Sequence, residues 1–422
     1  MDFSDQEQRS KMVLLGGLYI TQFLGVAFIS TAVPAILRES GIGLDVIGAL
    51  YLFGLIWPLK FLWAPLIDRY GSKRLGHYRG WLILLQSLIF VSLVAASFFD
   101  VAINFTVLAV LFGLISLFSA TQDIAADALG VTMLTPDERG FGNSIQTASG
   151  FIGSILGGGV VLIAYERLGW QASLLILAAS TAIPLLNILR FKENKYFIKQ
   201  EAESVSYADI INFFRRPGMG RWVVIIMTYP LGLAAANALY NPMLVDLGWS
   251  LDRIGIVINV VGAVSAIIGA AIVGLLIHRL DRKLIMLVAS GLTGVAALTM
   301  FSPATGTNNP TTIYVSIFLL MFAFGASNTI ITTMMMDKSK PEAAGTDYTL
   351  QYALTSALTF VLAGGVLALA EIFSYAGVLY ISLGFTVLSL LLVWSYNDFE
   401  PVQFQNETDQ LTLGDEIPIG TD

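Results

Sequence analysis

Two acids four residues apart, Asp123 and Asp127, sit inside a long apolar stretch. At that spacing both carboxylates lie on one face of the helix that carries them. Charge inside a bilayer is costly unless it is paired or hydrated, so such residues mark function or a compensating partner. Lys60, about fifteen residues into an earlier apolar stretch, reaches a comparable depth. A Lys60–Asp123 pair would offset the desolvation of both groups and leave Asp127 to titrate or to join a gate. Two readings stand: a proton-coupling carboxylate at Asp123 or Asp127, or a structural lysine–carboxylate bridge. Asp337 and Asp347 fall near the ends of apolar stretches and read as hydrated caps.

A second set carries hydrogen-bonding chemistry without charge. It comprises Tyr19, Gln22, Asn143, Gln146, Tyr229, Asn237, Tyr240, Asn241, Asn328, Tyr348, Gln351 and Tyr352. Pro230 and Pro242 interrupt the stretch holding Tyr229 to Asn241, which frees backbone carbonyls. Each buried amide serves equally as interhelical glue. As a set they suit a bulky, mostly neutral, partly aromatic solute. A phosphorylated one would call for Arg near the middle of the spans.

The elements that must position these residues follow from composition. The 422 residues are 56% hydrophobic and 13% charged, with a mean hydropathy of +0.74. A soluble chain needs about twice that charged fraction to hydrate its surface. The bilayer is therefore its solvent, and a net charge of −7 argues against nucleic acid as a partner. Cys is absent and His occurs twice, so neither a disulfide nor a metal site is expected. Twelve apolar runs are long enough for the ~20 residues a crossing requires: 12–38, 45–67, 80–99, 103–133, 140–165, 170–190, 221–245, 253–277, 284–302, 311–336, 344–371 and 374–397. They lack the in–out alternation of a β-barrel. The first run exceeds a signal-peptide core and follows mixed charge, so it is expected to remain as a membrane helix. Of the 23 Lys and Arg, 19 lie on one side of this topology and three on the other, which places both termini in the cytoplasm.

The only long connection, within 191–220, divides the helices six and six. The expected organisation is a bundle over 1–190, a cytoplasmic linker over 191–220, a second bundle over 221–397 and an acidic cytoplasmic tail over 398–422. Residues 206–216 fit either a short surface helix with Phe213 and Phe214 down, or an ordinary linker. The halves repeat at an offset of about 205 residues. Ala120-Thr-Gln-Asp-Ile matches Ala326-Ser-Asn-Thr-Ile, and Gly140 matches Gly345. The second half has Thr329 where the first has Asp123, so any coupling is expected to be asymmetric.

Asp68-Arg69-Tyr-Gly-Ser-Lys73-Arg74 resembles the loop signature of the major facilitator superfamily. The resemblance implies an all-α membrane protein of two pseudo-symmetric six-helix bundles working by alternating access, with Asp68, Arg69, Lys73 and Arg74 as a cytoplasmic gate. It also implies that the first, fourth, seventh and tenth helices face the cavity, with support from the second, fifth, eighth and eleventh. That makes Tyr19, Gln22, Gln146, Tyr229, Asn237, Tyr240, Asn241, Asn328, Gln351 and Tyr352 the substrate candidates. Lys60-Phe-Leu-Trp-Ala-Pro and Ala120-Thr-Gln-Asp-Ile-Ala-Ala-Asp, followed by Gly169-Trp170, resemble the branch with AmpG-type muropeptide permeases and rhizobactin- or pyochelin-type siderophore permeases. Muropeptide permeases run longer, so the length favours import of a siderophore or similar bulky, mostly neutral solute, with or without iron, across a bacterial inner membrane. Muropeptide or drug-like transport is the alternative. Helix five has Gly157-Gly158-Gly159 and no Pro, so the antiporter signature of drug exporters fails. Without a Walker motif the expected partners are a small-molecule substrate, protons and lipid, for a monomer with no cofactor. Rivals of other classes, a membrane-embedded enzyme or a sensor, lack a cluster of catalytic side chains.

Overall fold

The computed structural model describes residues 3–42, 48, 50–72, 74–101, 103–193 and 205–400. Among these the secondary structure is helical, arranged as twelve membrane helices. Helix α1 spans 3–39, with a π-helical turn at Phe28–Ala32. Helix α2 spans 51–69 in short 3-10 and α pieces; Pro58 and Pro65 remove backbone donors there. Its last turn, Ala64–Arg69, carries Asp68 beyond the apolar run. Helices α3 (His77–Ala96) and α4 (Phe105–Met133) follow. Helix α5 begins at Pro136 with a capping box, Thr135 with Glu138, and contains a π segment, Ile155–Val160.

Two stretches are continuous by hydrogen bonding yet too long for one crossing. Residues 136–190 would extend ~80 Å at 1.5 Å per residue, against a ~30 Å core. Gly169 (φ 78°, ψ 179°) breaks the first into α5 and α6 (170–190), and Ser374 (φ 64°, ψ 169°) breaks the second into α11 (344–373) and α12 (375–395). A single residue with positive φ turns the chain in each place. Their separation equals the offset of the sequence repeat, so the duplication is built into the turns as well. The remaining helices are α7 (219–246, with Pro230 between its two parts), α8 (251–276), α9 (Arg282–Ala304) and α10 (Pro310–Asp337). Asp281 and Asn309 cap α9 and α10 through their side chains.

A short amphipathic helix, Ala208–Arg215, precedes α7, with Phe213 buried and Phe214 exposed. Small residues set the closest crossings. A Cβ on Gly157 of α5 would lie 2.1 Å from the Leu24 carbonyl oxygen of α1, and one on Gly325 of α10 would lie 1.8 Å from that of Ala266 in α8. Gly159, two residues on from Gly157, faces open space. Contacts between the halves run from α5 to α8 and α10, and from α2 and α4 to α11.

Candidate functional site

The centre of the molecule is built on α1, α2, α4, α5 and α11. Asp123 and Asp127 project from one face of α4 and are both buried. Lys60 is ion-paired with Asp123, their side chains 0% and 5% exposed. The Gln22 amide of α1 donates to the other oxygen of Asp123. One turn on, Asp127 Oδ1 accepts from the Tyr19 hydroxyl at 2.8 Å and the Gln146 amide at 3.1 Å. Rings from both halves flank the Lys60 ammonium: Trp57 of α2 at 5.2 Å and Tyr352 of α11 at 4.8 Å. Tyr348 faces Asp127 and the Gln146 amide from α11. Lys60 lies nine residues before Arg69, ~13 Å along the helix from the loop, which is close to mid-bilayer.

Next to this cluster, Val26, Ile29, Ser30, Leu50, Phe53, Gly54, Trp57 and Ser116 line a recess between α1, α2 and α4. Phe23 stacks on Trp57 with ring centres 6.5 Å apart. Trp57 thus belongs both to the surroundings of the Lys60 ammonium and to the lining of this recess.

The loop end of the bundle is closed by a second set of groups. Asp68 crosses between the halves to the start of α11. It accepts from the backbone N–H of Gly345 (3.0 Å) and Thr346 (2.6 Å), the Thr346 hydroxyl (2.6 Å) and the Tyr78 hydroxyl (2.8 Å). A carboxylate at a helix N-terminus meets free N–H groups and the positive end of the dipole. Burial still pushes the Asp68 carboxyl up to about 6 against these donors. Arg69 and Arg74 are exposed instead of bridging the halves, because the turn that aims Asp68 inward sends its neighbours to the surface. Lys73 lies outside the described residues.

Asp337 and Asp347 correct the expectation of hydrated caps; both are fully buried. Asp337, ending α10, holds Arg139 of α5 at 2.9 Å and Arg282 of α9 at 2.6 Å. Arg282 also donates to the Pro136 carbonyl across the halves at 3.0 Å. Asp347 takes both guanidinium nitrogens of Arg216, one at 2.9 Å. A helix end is dry when a second helix covers it, and run ends in a sequence do not show that cover. Arg139, Arg216 and Asp337 were missed as site residues. The available signal was an acid placed among bases on the base-rich side, the same signal that singled out Asp68.

The expected substrate residues divide four ways. Tyr19, Gln22, Gln146 and Tyr352 converge on the central cluster. Asn328 bonds Thr147 of α5 at 3.0 Å and so joins the halves. Tyr229, Tyr240 and Gln351 turn into the second half: Tyr229 donates to the Met286 carbonyl, Tyr240 to Ser316, and Gln351 bonds Trp222, Met335 and Ser339. In this structure those three bond neighbouring helices of the second half. Asn237 and Asn241 are exposed on α7.

A family model described as Major Facilitator Superfamily matches residues 15–364, with a second match over 223–414. The chain belongs to the major facilitator superfamily. It is a multi-pass membrane transporter and not an enzyme. The chain is similar to the anhydromuropeptide permease of Escherichia coli (strain K12), 28% identical over 84% of this chain and 72% of that one. It is also similar to an AmpG-named transporter of Rickettsia prowazekii (strain Madrid E), 24% identical over 85% of this chain and 90% of the relative. The human organic anion transporter MFSD10 shares the fold at a TM-score of 0.71 and 14% identity, covering 92% of this facilitator and 99% of that chain. A proton:xylose symporter does so at 0.70 and 12%, covering 93% and 96%. The AmpG-type resemblance and the twelve-helix major facilitator fold are thus both found.

Proposed function

We propose that this facilitator imports a sugar–peptide fragment of the muropeptide class by alternating access, driven by proton symport. The observation that carries the reading is a buried lysine–carboxylate cluster, built on the first half and flanked by Tyr348 and Tyr352 of the second, in a chain similar to an anhydromuropeptide permease over 84% of its length. A group at that boundary is remade whenever the halves rock, so its charge state biases which side is open. The halves, 1–190 and 221–397, move as the two bundles. The base-rich loops face the cytoplasm of a bacterial inner membrane, and the closed loop end then corresponds to a cavity open outward. The siderophore expectation rested on chain length, and no named relative supports it.

Reconstituted protein in proteoliposomes tests this. Labelled anhydromuropeptide is expected to accumulate when the lumen is alkaline and to stop when the proton gradient is collapsed. Accumulation of a ferric siderophore in place of muropeptide would restore the rival reading.

A further inference from the structure

The central cluster holds one ammonium and two carboxylates within the same dry space. The geometry points to Lys60 as the receptor for a substrate carboxylate, kept occupied by Asp123 and freed when Asp123 takes up a proton. This deepens the proposed function by naming what the site reads: a carboxylate on a solute whose sugar ring lies on the Trp57–Phe23 shelf.

Three observations carry it. Lys60 is fully buried and its ammonium sits against Trp57, whose other surroundings line the recess. Trp57 is thus the residue that the recess and the surroundings of the ammonium share. Second, the charges do not permit simple addition. Lys60 is faced by Asp123 and Asp127 from α4, with Tyr19 from α1 and Tyr348 and Tyr352 from α11 around them. A third carboxylate would leave the dry cluster two negative charges in excess, whereas one proton restores the original balance. Third, the structure supplies the acceptor that a protonated Asp123 needs. Gln22 already donates to Asp123, while its Oε1 is buried with no hydrogen-bond partner. Rotation of that amide lets Oε1 accept the new O–H. Asp127 keeps its own donors, Tyr19 and Gln146, so the exchange belongs to Asp123.

The test is calorimetric titration of purified protein with N-acetylmuramic acid, and with N-acetylglucosamine as its neutral counterpart. The wild type is expected to bind the acid at least tenfold more tightly, with affinity rising as pH falls. Asp123→Asn removes the competitor, so the acid is expected to bind about tenfold tighter still and without pH dependence. A structural ion pair would make this variant worse, not better. Lys60→Gln with Asp123→Asn removes both members of the ion pair and leaves the net charge of the cluster unchanged, with Asp127 in place, and it is expected to bind both sugars alike. Equal binding of the two sugars to wild type and Asp123→Asn, or no binding of either, overturns the proposal, as does an acid preference that survives the double change. Muropeptide uptake failing while the acid preference tracks Lys60 would sink the transport reading and leave the carboxylate site standing.

Discussion

Lys60 and Asp123 exchange almost all their water for each other, the Gln22 amide and two rings. Removing one partner of such a pair strands a charge, which costs far more than the pair itself contributes. Lys60→Met is therefore expected to destabilise the protein by about 3–5 kcal/mol, and pairing it with Asp123→Leu to recover most of that loss. Thermal melts of the three variants in one detergent would check this; a single variant as stable as wild type would mean that water reaches the site. Both members of the pair were legible as residues, because an ionisable group in an apolar run stands out. Their geometry with Tyr352 was not, since α2 and α11 are nearly 300 residues apart in the chain.

At the scale of the element, α1 and α5 touch backbone to backbone. Gly153 and Gly157 permit this: a Cβ at either would fall within 2.5 Å of a carbonyl oxygen of α1. Gly157→Val is expected to cost about 1–3 kcal/mol or more by overpacking, while Gly159→Ala, facing open space, is expected to stay within about 0.5 kcal/mol. Melting temperature and detergent-extracted yield measure both; equal effects would mean that the crossing is not the tight one. The glycines are plain in the sequence, but which of them meets the neighbour depends on the π segment at Ile155–Val160. That segment shifts the helical phase, and residue spacing does not reveal it.

At the scale of the whole molecule, Asp68 joins the halves at the closed loop end, and the proposed alternation would break those bonds when that end opens. Its carboxyl rises to about 6 there because of burial, against about 4 when exposed to water. The closed state thus binds the proton more tightly. It is favoured most below about pH 4, loses that advantage between 4 and 6, and is level above. The chain contains no Cys, so a spin-labelled cysteine pair across the loop end reports the distance without background. The closed fraction is expected to fall from pH 4 to 6, and Asp68→Asn to flatten the curve. An unchanged curve in that variant would remove Asp68 from the gate.

Composition, hydropathy and motifs repeated at one offset determined the solvent, the twelve crossings and the duplication, because each is a property of runs of residues. The same is true of the acids that cannot be hydrated, since cost is set by what surrounds them along the chain. Tertiary structure decided which polar groups meet. It turned Tyr229, Tyr240 and Gln351 onto neighbouring helices of the second half, buried Asp337 against two arginines, and exposed Arg69 and Arg74 beside a buried Asp68. The physical reason is that a membrane helix carries its own backbone hydrogen bonds and so can be recognised in isolation. A side chain's partner comes from another helix, at a rotation and depth fixed only when the two halves close on each other.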